Sequence, residues 1–242
     1  MKNIFRSLLL TLLISFSACD ALDENLVDPL EVTPENVAIG DLYNSVQLQT
    51  AQLMNNSWYF PASMARMISN TNAFEYINAS APANFNGIWA TVYEGLWPDI
   101  QTLIDISSER GLPVYEGTSR IIRAYTMMLL VDMFGDVPLT DANKGTEVIS
   151  PAADPGSSVY EAAIAELDAG IALLQAAGSS TVAYDNFYGG DVDKWIPLAN
   201  TLKLRAAVTT RLVTPDESRS AINALIGGEL IDSEDEDFQF SY

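Results

Sequence analysis

The sequence predicts a mainly α-helical body, stacked as antiparallel helix pairs in a repeat-like array. Three observations predict it. Apolar residues recur three and four positions apart in one segment after another, the spacing of a single helix face. Helix punctuation falls at the edges of those segments, at Thr33-Pro34, Gly135, Gly178 and Thr214-Pro215. Strand-type alternation of apolar and polar residues is nearly absent. Helices of roughly 15 to 24 residues joined by loops form such stacks when each pair buries its apolar face against the next.

The first residues give the chain an address rather than a fold. Lys2 and Arg6 precede an apolar run from Leu8 to Phe16, and Ser17-Ala18 leads into Cys19, the chain's one cysteine. A basic start, a short apolar stretch and a small-residue cleavage site make an export signal, here residues 1–18. The run is too short for a spanning helix. A lone cysteine at this cut reads as a bacterial lipobox, with Cys19 becoming the lipidated N-terminus; the alternative is an ordinary signal with a chance cysteine. Residues 19–32, with Asp20, Asp23 and Glu24, read as an acidic tether, and residues 33–242 as the helical domain.

Along that domain, Thr33 is the expected N-cap and Pro34 the first helical residue. Leu42, Val46, Gln49 and Leu53 carry a modest stripe onward. Asn55 to Ala83 is expected to be mostly irregular, with at most a short helix over Pro61 to Ser69. Phe85 to Ser108 is a helix with a kink at Pro98. Ser119 to Phe134 is apolar almost all round and therefore buried, and Gly135 stops it. Ser157 to Ala177 is expected to start on a Ser158–Glu161 capping box and end at Gly178. Lys194 to Val213 places Trp195, Leu198, Leu202 and Ala206 on one side. Thr214-Pro215 opens a last helix that Gly227-Gly228 ends.

Charge and composition exclude whole classes of function. There are 32 acidic against 12 basic residues and no histidine. A nucleic-acid partner needs a basic footprint that this chain lacks. Histidine triads, histidine bases and histidine-ligated zinc are ruled out, and a body without cysteine removes thiolate chemistry. No cofactor and no metal site are expected. The acidic run Asp232 to Asp237 lacks the glycine-containing spacing of a calcium loop and reads as a solvated turn.

The binding candidates are aromatic. Trp58, Tyr59, Phe74 and Tyr76 are interleaved with Asn55, Asn56, Asn70, Asn72 and Asn78. Sugar faces stack on such rings and amides hydrogen-bond their hydroxyls, so Trp58, Tyr59, Phe74, Tyr76 and Asn78 form a candidate ligand site. The competing reading is that the rings fill core gaps under a loop. Trp195 reads as core. Arg120 and Arg123, taken as lying at a helix start where the dipole disfavours cations, are expected to pair with carboxylates such as Asp132 or Asp136.

Several blocks resemble one family. Ser119-Arg120-Ile121-Ile122-Arg123-Ala124-Tyr125 running to Phe134-Gly135-Asp136-Val137-Pro138-Leu139-Thr140 is similar to the signature helix and turn of SusD/RagB lipoproteins. Tyr160 to Asp168 resembles their next helix. Tyr188-Gly189-Gly190-Asp191-Val192-Asp193-Lys194-Trp195 and Ala199-Asn200-Thr201-Leu202-Lys203-Leu204-Arg205 resemble the one after. The resemblance implies divergent tetratricopeptide-like helix pairs with irregular loops. It implies a lipid-anchored protein on the outer-membrane surface of Bacteroidetes-type bacteria, and a SusC-like TonB-dependent transporter as partner. It also implies a captured oligosaccharide or peptide as ligand, and a longer chain of which residues 33–242 are the N-terminal portion.

Three functions follow as expectations. The leading one is non-catalytic nutrient capture and delivery to the transporter. The second is a helical scaffold that docks the transporter without binding solute. The third is a carboxylate glycoside hydrolase, which would need two acids about 5 to 10 Å apart across a sugar bond.

Overall fold

Helix-forming periodicity becomes architecture in a computed structural model that describes residues 37–68, 81–178 and 180–241. Nearly all of these belong to one compact unit, Ala38–Tyr242. Cys19, the acidic tether and the Thr33-Pro34 helix start lie outside the described residues. The helices are α1 (Ile39–Met64), α2 (Asn86–Ala90), α3 (Trp97–Glu109), α4 (Pro113–Phe134), α5 (Gly156–Ala177), α6 (Trp195–Thr210) and α7 (Pro215–Leu225). A π-helical turn, Thr91–Leu96, joins α2 to α3. The described residues contain no strand. An antiparallel bridge between Val137 and Asp154 closes the loop from α4 to α5.

The helix α1 corrects the sequence reading. It runs on through Asn55–Met64, which the sequence assigns largely to irregular structure, and it contains Pro61. Proline there removes one rung of the hydrogen-bond ladder. Packing offsets the loss: Ser57 and Ser63 are buried, Ser63 Oγ donates to the Tyr59 carbonyl, and the Phe60 ring meets Phe85.

The expected kink at Pro98 takes another form. The π turn comes first, and Pro98 sits in the first turn of α3, where a missing N–H costs least. A Cβ on Gly95 in that turn would meet the Gln49 side-chain amide. Gln49 Nε2 in turn donates to Asp99 Oδ2 at 2.6 Å, tying α1 to α3.

Helix α4 begins at Pro113, six residues before the expected start, after a reversal at Gly111 (φ 65°). Arg120 and Arg123 therefore lie inside the helix, and their partners differ from those expected. Both do pair with carboxylates: Arg120 bridges Glu116 (2.9 Å) and Glu166 of α5 (2.8 Å), while Arg123 donates to Gln101 and lies 3.8 Å from Glu166. Burial opposes the Arg120 charge, but hydrogen bonds and attraction from Glu116 and Glu166 outweigh it and raise its pKa. Asp132 pairs instead with Arg205 and accepts from Tyr160 Oη. Asp136 accepts from the Gly156 N–H at 2.8 Å. That bond from the preceding turn replaces the Ser158–Glu161 capping box, which does not form, since α5 starts at Gly156. Gly178 ends α5 with φ 60°, as expected.

Helices α4 and α5 pack antiparallel at unusually close range. A Cβ on Gly170 would lie 2.9 Å from the Gly117 carbonyl oxygen and from Ile121 Cγ1; one on Gly117 would lie 3.0 Å from Leu174 Cδ2. At the other end, a Cβ on Gly156 would lie 2.9 Å from Val131 Cγ1. Around this seam the core collects Ile121, Met127, Met128, Leu130, Leu167 and Leu174 from α4 and α5, Ile100 and Leu103 from α3, and Trp195 from α6.

Gly170→Val is expected to destabilise the protein by about 2–3 kcal/mol through overpacking, read as a lower urea midpoint. A second expectation concerns acid. Asp154 accepts from the Thr140 N–H and hydroxyl and from the Leu139 N–H. Those bonds, the Thr140 backbone bond foremost, hold its carboxyl below the usual carboxylate range. The folded-state pKa being depressed, the stabilisation is present above the unfolded value and is lost as pH falls through the folded one. Asp154→Asn should flatten the acid limb of unfolding measured between about pH 5 and pH 2.

Candidate functional site

A chain of aromatic rings leads from the surface into the core at the C-terminal end of α1. Trp58 meets Tyr59 edge-on with centroids 6.0 Å apart, Tyr59 meets Phe60 at 5.3 Å, and Phe60 meets Phe85 at 5.7 Å. Phe85 touches Phe134 at 6.2 Å, and Phe134 touches Trp89 at 5.4 Å. Trp89, Tyr93 and Trp97 then ladder along the π turn at 4.7 and 5.0 Å. Edge-to-face and offset contacts of this kind are the favoured arrangements of ring quadrupoles.

The inner rings are fixed by hydrogen bonds. Trp97 Nε1 donates to Thr126 Oγ1 at 2.9 Å, and Tyr93 Oη donates to the Pro138 carbonyl at 2.8 Å. Burial, then the nearby Asp154 charge, raise the Tyr93 pKa, so its hydroxyl stays a neutral donor. The outer rings remain open: Trp58 is 51% exposed, Tyr59 41% and Trp89 36%. Beside Trp58 and Tyr59 lies a cleft of about 420 Å³ whose lining includes Asn55, Asn56, Asn84 and Gly87. This cleft offers ring faces for stacking and amides for hydroxyl groups, the combination a small neutral solute requires. No carboxylate stands among its described lining residues.

The structure thus brings Trp58 and Tyr59 together with Asn55 and Asn56. Phe74, Tyr76 and Asn78 lie outside the described residues. The sequence reading passes over Asn84 and Trp89. One signal for Trp89 was there: it stands four and eight residues before Tyr93 and Trp97, on one side of a helix. Trp195 is core, as read, and fully buried. In the acidic run, Glu234–Glu236 form a 3₁₀ turn, and Asp235 pairs with Lys194. Among the described residues no group of acids is placed to hold a metal ion.

A buried carboxylate elsewhere has a structural task. Asp185, 7% exposed, accepts from the N–H groups of Phe187, Tyr188 and Gly190 and from Trp195 Nε1. The loop it organises docks on α1 through Gln47. That side chain donates to the Tyr184 carbonyl and accepts from the Asn186 N–H, both at 2.7 Å.

Residues 31–242 match the family model described as starch-binding and associating with the outer membrane, SusD-like. The chain belongs to the SusD-like family. Solved structures agree on the fold. A SusD-like protein from Bacteroides thetaiotaomicron is 25% identical with a TM-score of 0.57, over 65% of this chain and 33% of that one. A chitin-binding SusD homologue from Flavobacterium johnsoniae is 25% identical with a TM-score of 0.56, over 64% and 33%. A Bacteroidetes SusD-like protein, 22% identical, superposes with a TM-score of 0.69 over 84% and 39%. This SusD-like chain spans about a third of the length of the first two. No curated protein matches it. None of the described helices is long and apolar enough to cross a membrane.

Asp185→Ala would strand four buried donors of this SusD-like fold. The expected cost is about 3 kcal/mol or more, measured by thermal or urea unfolding, with near-ultraviolet dichroism reporting release of Trp195.

Proposed function

We propose that this chain captures a glycan at the outer-membrane surface and passes it to a partner TonB-dependent transporter. One observation carries the reading: solvent-open Trp58 and Tyr59 share a cleft with Asn55, Asn56 and Asn84, in a family described as starch-binding. Ring faces take the C–H faces of a sugar, and amides both donate to and accept from its hydroxyls. Ring faces beside side-chain amides suit a glycan, and the described lining holds no charged group for the charged side chains or ends of a peptide. The chitin-binding homologue from Flavobacterium johnsoniae supports a glycan of the glucose or N-acetylglucosamine type. Phe74, Tyr76 and Asn78 are proposed to complete the cleft, since their segment connects α1 to the turn that bears Asn84. Capture needs no bond-making group, so the proposed role is non-catalytic. Cys19 is proposed as the lipid anchor, with the acidic residues after it as the tether.

The test is calorimetric titration of the protein with malto-oligosaccharides and chito-oligosaccharides. Trp58→Ala is expected to weaken binding of the preferred series by about tenfold, the worth of one well-stacked ring. Tyr76→Ala should weaken it in the same direction. Unchanged affinity in both variants would remove the aromatic cleft as the site. For the anchor, Cys19→Ser should move the protein from the membrane fraction to the soluble one; persistence in the membrane overturns the lipid assignment.

A further inference from the structure

A glycine inside a helix weakens it, because its backbone has the most conformational freedom to lose. Most glycines inside the described α-helices have an evident steric reason. Gly117, Gly156 and Gly170 each face a neighbour within 3.0 Å of where a Cβ would stand, and Gly40 lies against the Tyr184 ring at 2.6 Å. Gly87 of α2 has no such reason. Its φ is not in the left-handed region. A Cβ on it would meet no atom of the described residues within 4 Å, and the residue is exposed. Nothing described in the fold asks for a glycine at this place.

The aromatic cleft does. One side of it is formed by Asn55, Asn56, Trp58 and Tyr59 of α1, and the other by Asn84, Gly87 and Ile88. Asn84 stands three residues before Gly87 and four before Ile88, so the three share one side of the helical turn. The contact of Phe60 with Phe85 at 5.7 Å joins the two sides. A side chain at position 87 would occupy space that the cleft now leaves open.

The backbone there offers shape and no acceptor. The Gly87 carbonyl already receives the Thr91 N–H and, at 2.8 Å, the Thr91 hydroxyl, which uses both of its lone pairs. A ligand against this wall meets it by close packing, a contact that one added methyl group disturbs.

We infer that Gly87 determines which ligands the cleft admits: a sugar stacks one face on Trp58 or Tyr59, and its far side rests against the bare backbone of α2. The inference rests on the aromatic cleft being the glycan site. A glycine that serves the ligand and not the fold has opposite effects on stability and affinity when it is replaced.

The test measures both quantities on the full chain, by thermal unfolding and by calorimetric titration with malto- and chito-oligosaccharides. Gly87→Ala is expected to raise the melting temperature by about 1–3 °C and to weaken binding of the preferred series by about fivefold or more. Gly87→Leu, which also installs a good helix former, should keep the fold and abolish binding. Trp58→Ala, titrated alongside, reports on the cleft independently. A lower melting temperature for Gly87→Ala would show that the fold itself needs the space, and overturns the inference. Unchanged affinity in both Gly87 variants, with weakened binding in Trp58→Ala, overturns it too and leaves the glycan site standing. Unchanged affinity in all three variants, or no binding of either series by the unaltered chain, overturns the cleft as the site and this inference with it.

Discussion

Much of this fold hangs on one buried carboxylate. Asp185 gathers three backbone N–H groups and the Trp195 indole into one hydrogen-bonded centre. A buried carboxylate is costly unless its acceptor sites are filled, and here the donors come from the loop it shapes and from the start of α6. The loop then clasps α1 through Gln47. It also receives the C-terminal segment, whose Phe238 stacks on Phe187 at 4.0 Å and whose Ser241 N–H bonds the Asn186 carbonyl. Three stretches distant in sequence are thereby fixed to one another. The burial and the charge together raise the pKa of Tyr43 on α1, which keeps that core ring neutral.

The second constraint is steric. Glycines at 117, 156 and 170 let α4 and α5 approach until backbone and side chains of one meet backbone of the other. Close approach maximises dispersion contacts along the seam, and it fixes where α4 ends. Phe134, the last residue of α4, joins the ring chain between Phe85 and Trp89. The position of the aromatic surface is thus set from beneath by the helix pair, and from the side by the π turn that Gly95, Gln49 and Asp99 lock to α1. Such turns recur at functional sites because they re-aim side chains within an otherwise regular helix.

Two surfaces with different chemistry follow from one construction. The aromatic cleft is open, amide-lined and free of described carboxylates, suited to a neutral solute. The groove against α7 has an apolar floor with acidic residues at its edge.

The sequence by itself determined the helical class and most helix ends, because apolar spacing, proline and glycine are local signals that survive without tertiary contacts; the family was legible separately, in the resemblance of the blocks around Gly135 and Trp195. It also placed Trp195 in the core and Trp58 and Tyr59 among the binding candidates. It misjudged what depends on partners. Asn55–Met64 looks irregular because its aromatic and asparagine content weakens the periodicity, yet contact with Phe85 holds it in α1. Arg120 looks like a helix-start cation because Gly117 and Thr118 disguise the first turns of α4; Glu116 one turn back and Glu166 from another helix together neutralise it. The capping of α5 by Asp136 replaces a local motif that reads well in sequence. In each case at least one deciding neighbour comes from another element of the fold. Local propensity is worth tenths of a kcal/mol per residue, and a buried ring contact or ion pair from a distant segment outweighs it. Tertiary structure alone decided that Asn84 joins Trp58 and Tyr59 at one cleft, because only the folded chain brings residue 84 back beside the C-terminal end of α1.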